Sequence, residues 1–175
     1  LLEVQGAVAQ RLGIAHEDDL LRAVCAAGRT MSYISDLTWH RIKRFAAQAP
    51  RRKWNRTVLG ARSPELLPIA EGVVVLDGEA VLTPDANPAA DPVLILRAAA
   101  AAAQHGVRLS PQSVQQLAQA SAALPTPWPR AAREALVSLL GAGRLAVPVW
   151  EALDQQDVFT RLIPLWEKVR SAPHH

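Results

Sequence analysis

The longest uninterrupted helical pattern in the chain runs from Asp18 to Gln48 and limits the fold more than any other feature. Leu20, Val24, Ala27, Met31, Ile34, Leu37 and Phe45 recur at steps of three, four and longer multiples of a helical turn, so they mark one face of a single helix. At about 1.5 Å per residue that helix is roughly 45 Å long. "HEDDLL" supplies carboxylates where the macrodipole favours them, at the N-terminus. A short helix over residues 3–12, stopped by Gly13, precedes it. The long helix is expected to be the spine of a bundle.

The rest of the chain is punctuated by start and stop signals. Residues 49–63 are irregular and basic and read as a connection; "SPEL" then offers Ser63 as an N-cap and Pro64 as the first residue of a short helix. In "GVVVLDGEAVLT" two β-prone runs flank Asp77-Gly78, a pair suited to the positive φ angles of a type I′ turn, so a hairpin is expected over 72–83. An isolated two-stranded hairpin is marginal in water, so it must lie on helices. Asp91-Pro92 and Ser110-Pro111 open two further helices, the first carrying the alanine run Ala98–Ala103 and ending at Gly106. "RAAREALVSLLGAG" and "PVWEALDQQ" are two more, and Pro164 opens the last. The expectation is a mainly α fold: a bundle of about seven helices with one long spine and a small β-hairpin insertion. It divides into residues 1–60, with the spine, and a compact bundle over 61–175.

Composition narrows the function. Half of the 175 residues are hydrophobic, enough for a core, yet no apolar run reaches the 18–20 residues or so of a membrane span. No signal peptide is visible at the start of the sequence. One cysteine, Cys25, rules out internal disulfides and suits a reducing cytosol, so a cytoplasmic location is expected. Cys25 lies near the apolar stripe of the long helix and reads as a buried, inert thiol. The net charge of +3 is too small to argue for nucleic acid by itself.

No catalytic constellation emerges. The five histidines include no i, i+4 pair of the kind that puts two imidazoles on one helix face for zinc, and adjacent His174-His175 diverge by about 100° in a helix. Asp18-Asp19 resembles a metal-binding pair, but no sheet or phosphate loop accompanies it, and a helix N-terminus explains it. Glu65, Glu71, Asp77, Glu79 and Asp85 read as solvated loop charge. Neither a nucleophile elbow nor a phosphate-binding glycine motif occurs. No catalytic or metal-binding residue is therefore assigned.

One local cluster stands out. Eight cationic or imidazole side chains fall between His40 and Arg56, interleaved with Trp39, Phe45 and Trp54. Basic groups beside aromatics hold phosphates and stack bases; a solvated helix C-terminus produces the same composition. Trp39, Arg41, Lys43, Arg44, Arg51, Arg52 and Lys53 are the candidate binding residues, with an acidic protein surface or a nucleotide phosphate as ligand in preference to DNA. A freestanding basic module binding nucleotide or nucleic acid through residues 39–56 is the alternative.

Three stretches resemble a known family: "RTMSYISDLTWHRIKR", "SPELLPIAEGVVVLDGEAVL" and "LLGAGRLAVPVWEALDQQDVFTRLIPLWEKVRSAPHH" are similar to the middle region of bacterial PII uridylyltransferases, especially those of actinobacteria, and "LLEVQGAVAQRLG" resembles the segment just after that family's nucleotidyltransferase domain. The resemblance implies a helical region between two opposing activities. An upstream nucleotidyltransferase domain, with Mg²⁺, attaches UMP, or in some actinobacteria AMP, to the PII signalling protein in nitrogen regulation. A downstream HD-type hydrolase domain removes it, and two ACT domains sense glutamine. The family's HD region starts soon after a W-x-x-V-R helix like Trp166–Arg170, so His174-His175 fall where that domain would begin. The transferase's Gly-Ser and paired-aspartate motif and the HD metal set are both missing from this sequence. The resemblance thus implies a linking and substrate-positioning role without an active site, with the flanking domains and PII as partners and no membrane or nucleic acid.

Overall fold

The computed structural model describes residues 2–48 and 66–172. They form two compact units, one comprising Leu1–Thr57 with Pro164–His175 and the other Val58–Ile163. Among the described residues there are eight α-helices, a one-turn 3-10 helix and a four-stranded sheet, a mainly helical architecture as expected.

In the first unit, α1 (Leu2–Arg11) ends at Gly13, whose φ of +71° is left-handed and suits a residue without a Cβ. Helix α2 (Glu17–Gln48) is the 32-residue spine, with Glu17, Asp18 and Asp19 in its first turn. The two helices pack together, and Ala9 and Leu20 are buried. Beyond Leu20 the stripe departs from the expectation of an inward-facing spine. Val24, Met31, Ile34 and Phe45 are exposed, Phe45 by 78%. The periodicity is real, but among the described residues no element covers it. Helix α8 (Trp166–Val169) follows Pro164, and the carbonyl of Arg170 accepts a 2.8 Å bond from Arg29.

The second unit is built on its sheet and one alanine-rich helix. Strands β1 (Leu67–Ala70), β2 (Val73–Leu76) and β3 (Glu79–Leu82) form an antiparallel meander. Asp77 and Gly78 turn the β2–β3 hairpin with φ of +51° and +79°, both positive as type I′ geometry requires. Two strands were not foreseen. Leu67–Ala70 lies in a stretch read as helical; its start, Ser63-Pro64, falls outside the described residues. Pro68 sits in this edge strand, where a missing N–H is tolerated, beside a register shift. Strand β4 (Arg108–Leu109) is too short to leave a pattern and pairs parallel to β3 after a helical crossover.

That crossover is α3 (Leu94–Gln104), the most buried helix. Every residue from Ala98 to Ala103 is buried. A methyl side chain on all sides lets neighbouring backbones approach closely, and α3 packs on the sheet, on α5 (Arg130–Gly141) and on α6 (Ala146–Asp154). Asp91 accepts bonds from the N–H groups of Val93 and Leu94 at 3.0 and 3.2 Å, acting as the helix cap, and pairs with Arg97. Arg97 also donates to the carbonyl of Glu71, fastening the β1–β2 turn to α3. In that turn Gly72, at φ +76°, leaves only 3.2 Å between an added Cβ and the Cβ of Ala86, so any side chain there is both strained and crowded.

Helix α4 (Pro111–Ala120) starts as Ser110-Pro111 foretold: the Ser110 hydroxyl accepts from the N–H of Ser113, and proline takes the first helical position. Ser113 then reaches the sheet, accepting 3.0 Å from the N–H of Leu82 past the end of β4. Helix α7 (Val158–Leu162) closes the unit: Phe159 stacks on Trp150 at 3.6 Å, and Arg161 donates to the carbonyl of Ala118 at 2.7 Å. The acidic residues are less uniform than expected. Glu79 is buried on β3, in register with Arg108, because the fourth strand covers what looked like a loop position.

Two outcomes are expected. Ser113→Ala leaves the buried Leu82 N–H without an acceptor and costs about 1–3 kcal/mol by denaturant titration, while Gln112→Ala, on the same helix, changes stability by less than about 0.5 kcal/mol. For Asp91, burial is the largest single influence and raises its pKa; the Arg97 hydrogen bond, its charge and the two backbone N–H groups together outweigh it and leave the pKa lowered. A depressed carboxylate stabilises the fold above its unfolded value near pH 4, and that stabilisation is lost as pH falls through the folded value. In acid titrations Asp91→Asn is therefore less stable than the parent above about pH 4, and the two converge below it.

Candidate functional site

The described part of the basic cluster, Trp39 to Arg44, lies on the last third of α2, and the helix distributes it over more than one face. Successive residues turn by about 100°, so Trp39 and Lys43, four apart, share one side, and Arg41 and Arg44, three apart, share nearly the opposite one. Trp39 is 62% exposed, Arg41 and Lys43 are exposed, and Arg44 is half-buried. Arg51, Arg52 and Lys53 fall outside the described residues. What α2 displays is two exposed cations on different sides of a rigid rod, one of them beside an exposed indole. Such a rod can meet a carboxylate or phosphate surface from either side; these four side chains do not converge on one small ligand. Only the periodicity of α2, applied to the cations as it was to the apolar residues, would have revealed the split.

The other candidates take ordinary places. Asp18 and Asp19 belong to the first turn of α2, and Asp19 pairs with Arg22 at 3.0 Å. Among the described residues no group of three or more His, Cys, Asp or Glu side chains is placed to hold a metal ion. His16, His40 and His105 lie apart in sequence, and His105 bonds the carbonyl of Ala101 at the end of α3; His174 and His175 fall outside the described residues. Cys25 corrects an expectation: it is exposed, because the flank of α2 that carries it is uncovered. No single helix among the described residues is long and apolar enough to cross a membrane; α5 and the segment Gly143–Asp154 would reach the length only as a pair, and they meet at a 106° bend.

One concavity of about 420 Å³ opens beside the end of β3, lined by Leu82, Thr83, Pro84, Pro88, Gln112 and Gln116 among others. Asp85, next to it, is exposed. The cleft offers amides and a hydroxyl but no acid–base pair.

Comparison with known proteins decides what the chain is related to. It is 49% identical over 177 aligned residues, 98% of its length, to the bifunctional uridylyltransferase/uridylyl-removing enzyme of Streptomyces coelicolor. It is 39% identical over 166 residues, 95% of its length, to the enzyme of the same name from Mycobacterium tuberculosis. The chain is homologous to one segment of the actinobacterial uridylyltransferase/uridylyl-removing enzymes. That segment spans only 21% and 20% of the two relatives. No family model and no solved structure matches the chain.

Because Arg41 and Lys43 are exposed, alanine at both should shift the unfolding free energy by less than about 0.5 kcal/mol. A larger loss in a denaturant titration would show that the cluster is structural rather than displayed.

Proposed function

We propose that this segment of the uridylyltransferase/uridylyl-removing enzyme is its helical linking and substrate-positioning region, lying between the nucleotidyltransferase and HD-type hydrolase domains and having no active site of its own. On this reading the parent enzyme transfers UMP, or AMP in some lineages, to the PII protein in nitrogen regulation in the cytoplasm. Its Mg²⁺ is held by residues outside this segment. The observation that carries the proposal is near-complete coverage of the chain at 49% identity by a fifth of an enzyme with two opposing activities. It is supported by a sequence that has neither the transferase nor the hydrolase motif, and by a long helix that presents cations and an indole.

The mechanical logic is that of a rigid spacer. A 32-residue helix fixes the separation of what is attached to it, and catalysis between macromolecules depends on holding the reacting groups in register. Lys43 with Trp39 on one side of the helix, and exposed Arg41 with half-buried Arg44 on the other, would meet acidic groups of the protein substrate. Cations at such a rim raise association rates and give them salt sensitivity.

In the full-length enzyme, Arg41→Glu with Lys43→Glu should raise the KM for PII by about tenfold at low salt, leave kcat little changed, and lose the effect as ionic strength rises. An unchanged KM removes the substrate-holding role. The segment alone should transfer no nucleotide from UTP to PII, and detectable transfer would overturn the assignment. Salt-sensitive binding of a labelled oligonucleotide, abolished by alanine at Arg41, Lys43 and Arg44, would instead favour a freestanding nucleic-acid module.

A further inference from the structure

Helix α2 carries a second surface that the basic cluster does not explain. Val24, Met31, Ile34, Ile42 and Phe45 are each half or more exposed. At 100° per residue they fall within an arc about 80° wide and extend over about 31 Å of helix. An exposed apolar helix face of this kind marks an interaction site. The same line continues to Leu20, which is already buried. Arg41 borders the stripe at its Phe45 end.

We propose that this stripe is an intramolecular docking face, covered in the intact enzyme by an apolar groove of the remainder of the same polypeptide. The inference rests on the assignment of the segment to the uridylyltransferase/uridylyl-removing enzyme. The relatives carry about four-fifths of their length outside the matched region, so a partner on the same chain is present at high effective concentration. A second copy fits the stripe poorly. Parallel in-register pairing would bring Leu20 to Leu20, which is already covered. Antiparallel pairing centred between Met31 and Ile34 would bring Phe45 to Leu20, which is no longer free. Thr38, on the same line, bonds the carbonyl of Ile34 at 2.8 Å and interrupts the apolar repeat that a self-associating coil would need.

The test is cysteine accessibility in the full-length enzyme, with Cys25→Ser and its other reactive cysteines replaced. Single cysteines are introduced as Met31→Cys, Ile34→Cys and Ile42→Cys, with Ser32→Cys, exposed and about 120° away from the stripe, as the reference. All four positions are exposed in this segment, so none of the substitutions removes a side chain from its own core. The three stripe positions should react with a maleimide at least about tenfold more slowly than Ser32→Cys, independently of protein concentration. Equal rates on the two faces overturn the proposal, and protection that disappears on dilution overturns it in favour of a second copy. Labelling does not depend on turnover, so an uncovered stripe and a failed assignment of activity are separate outcomes.

Discussion

The second unit depends on a helix whose central six residues carry only methyl side chains. Six consecutive alanines in α3 remove the bulk that keeps helices apart, so its backbone can be surrounded by the sheet on one side and α5 and α6 on others. Interiors of this density tolerate little change in volume, which makes the alanine run a packing requirement rather than a compositional accident. Larger residues fill in around it: Leu94 and Leu96 at the start of α3, Leu139, Val149 and Leu153 on its neighbours, and the stacked Trp150 and Phe159.

A helix packed so closely still has to be held in register, and polar groups do that at its ends. Asp91 caps the first turn and pairs with Arg97, and Arg97 holds the β1–β2 turn. Ser110 and Ser113 form the corresponding device where the chain leaves β4: one caps α4 while the other satisfies an N–H of β3 that the two-residue fourth strand leaves unpaired. A buried backbone donor is costly without an acceptor, so the short strand and the serine belong together.

The first unit follows a different logic. Apart from Ala9 and Leu20, the described residues of α1 and α2 bury no apolar side chain. A helix in a protein normally draws its stability from the face it packs, and here most of that face is open. The first unit is thus a long amphipathic rod with an open apolar face, whereas the second unit closes its own core.

Local chemistry was readable without coordinates wherever a residue acts on its own neighbourhood. The Asp77-Gly78 turn, the Ser110-Pro111 start, the Asp91 cap, the glycine stops at 13 and 106 and the length of α2 all follow from backbone sterics and the orphan groups of helix ends. Burial was less legible, because it is set by what lies opposite. Leu67–Ala70 becomes a strand because β2 offers an edge, Glu79 is buried because β4 covers it, and Cys25 is exposed because nothing among the described residues packs on that flank. For the cluster on α2, the sequence determined the charges and the helix that bears them; the tertiary structure decided that Trp39, Arg41 and Lys43 face solvent on different sides and that the apolar stripe beside them is open. Periodicity fixes which residues share a face, and only packing between distant segments determines whether that face meets protein or water.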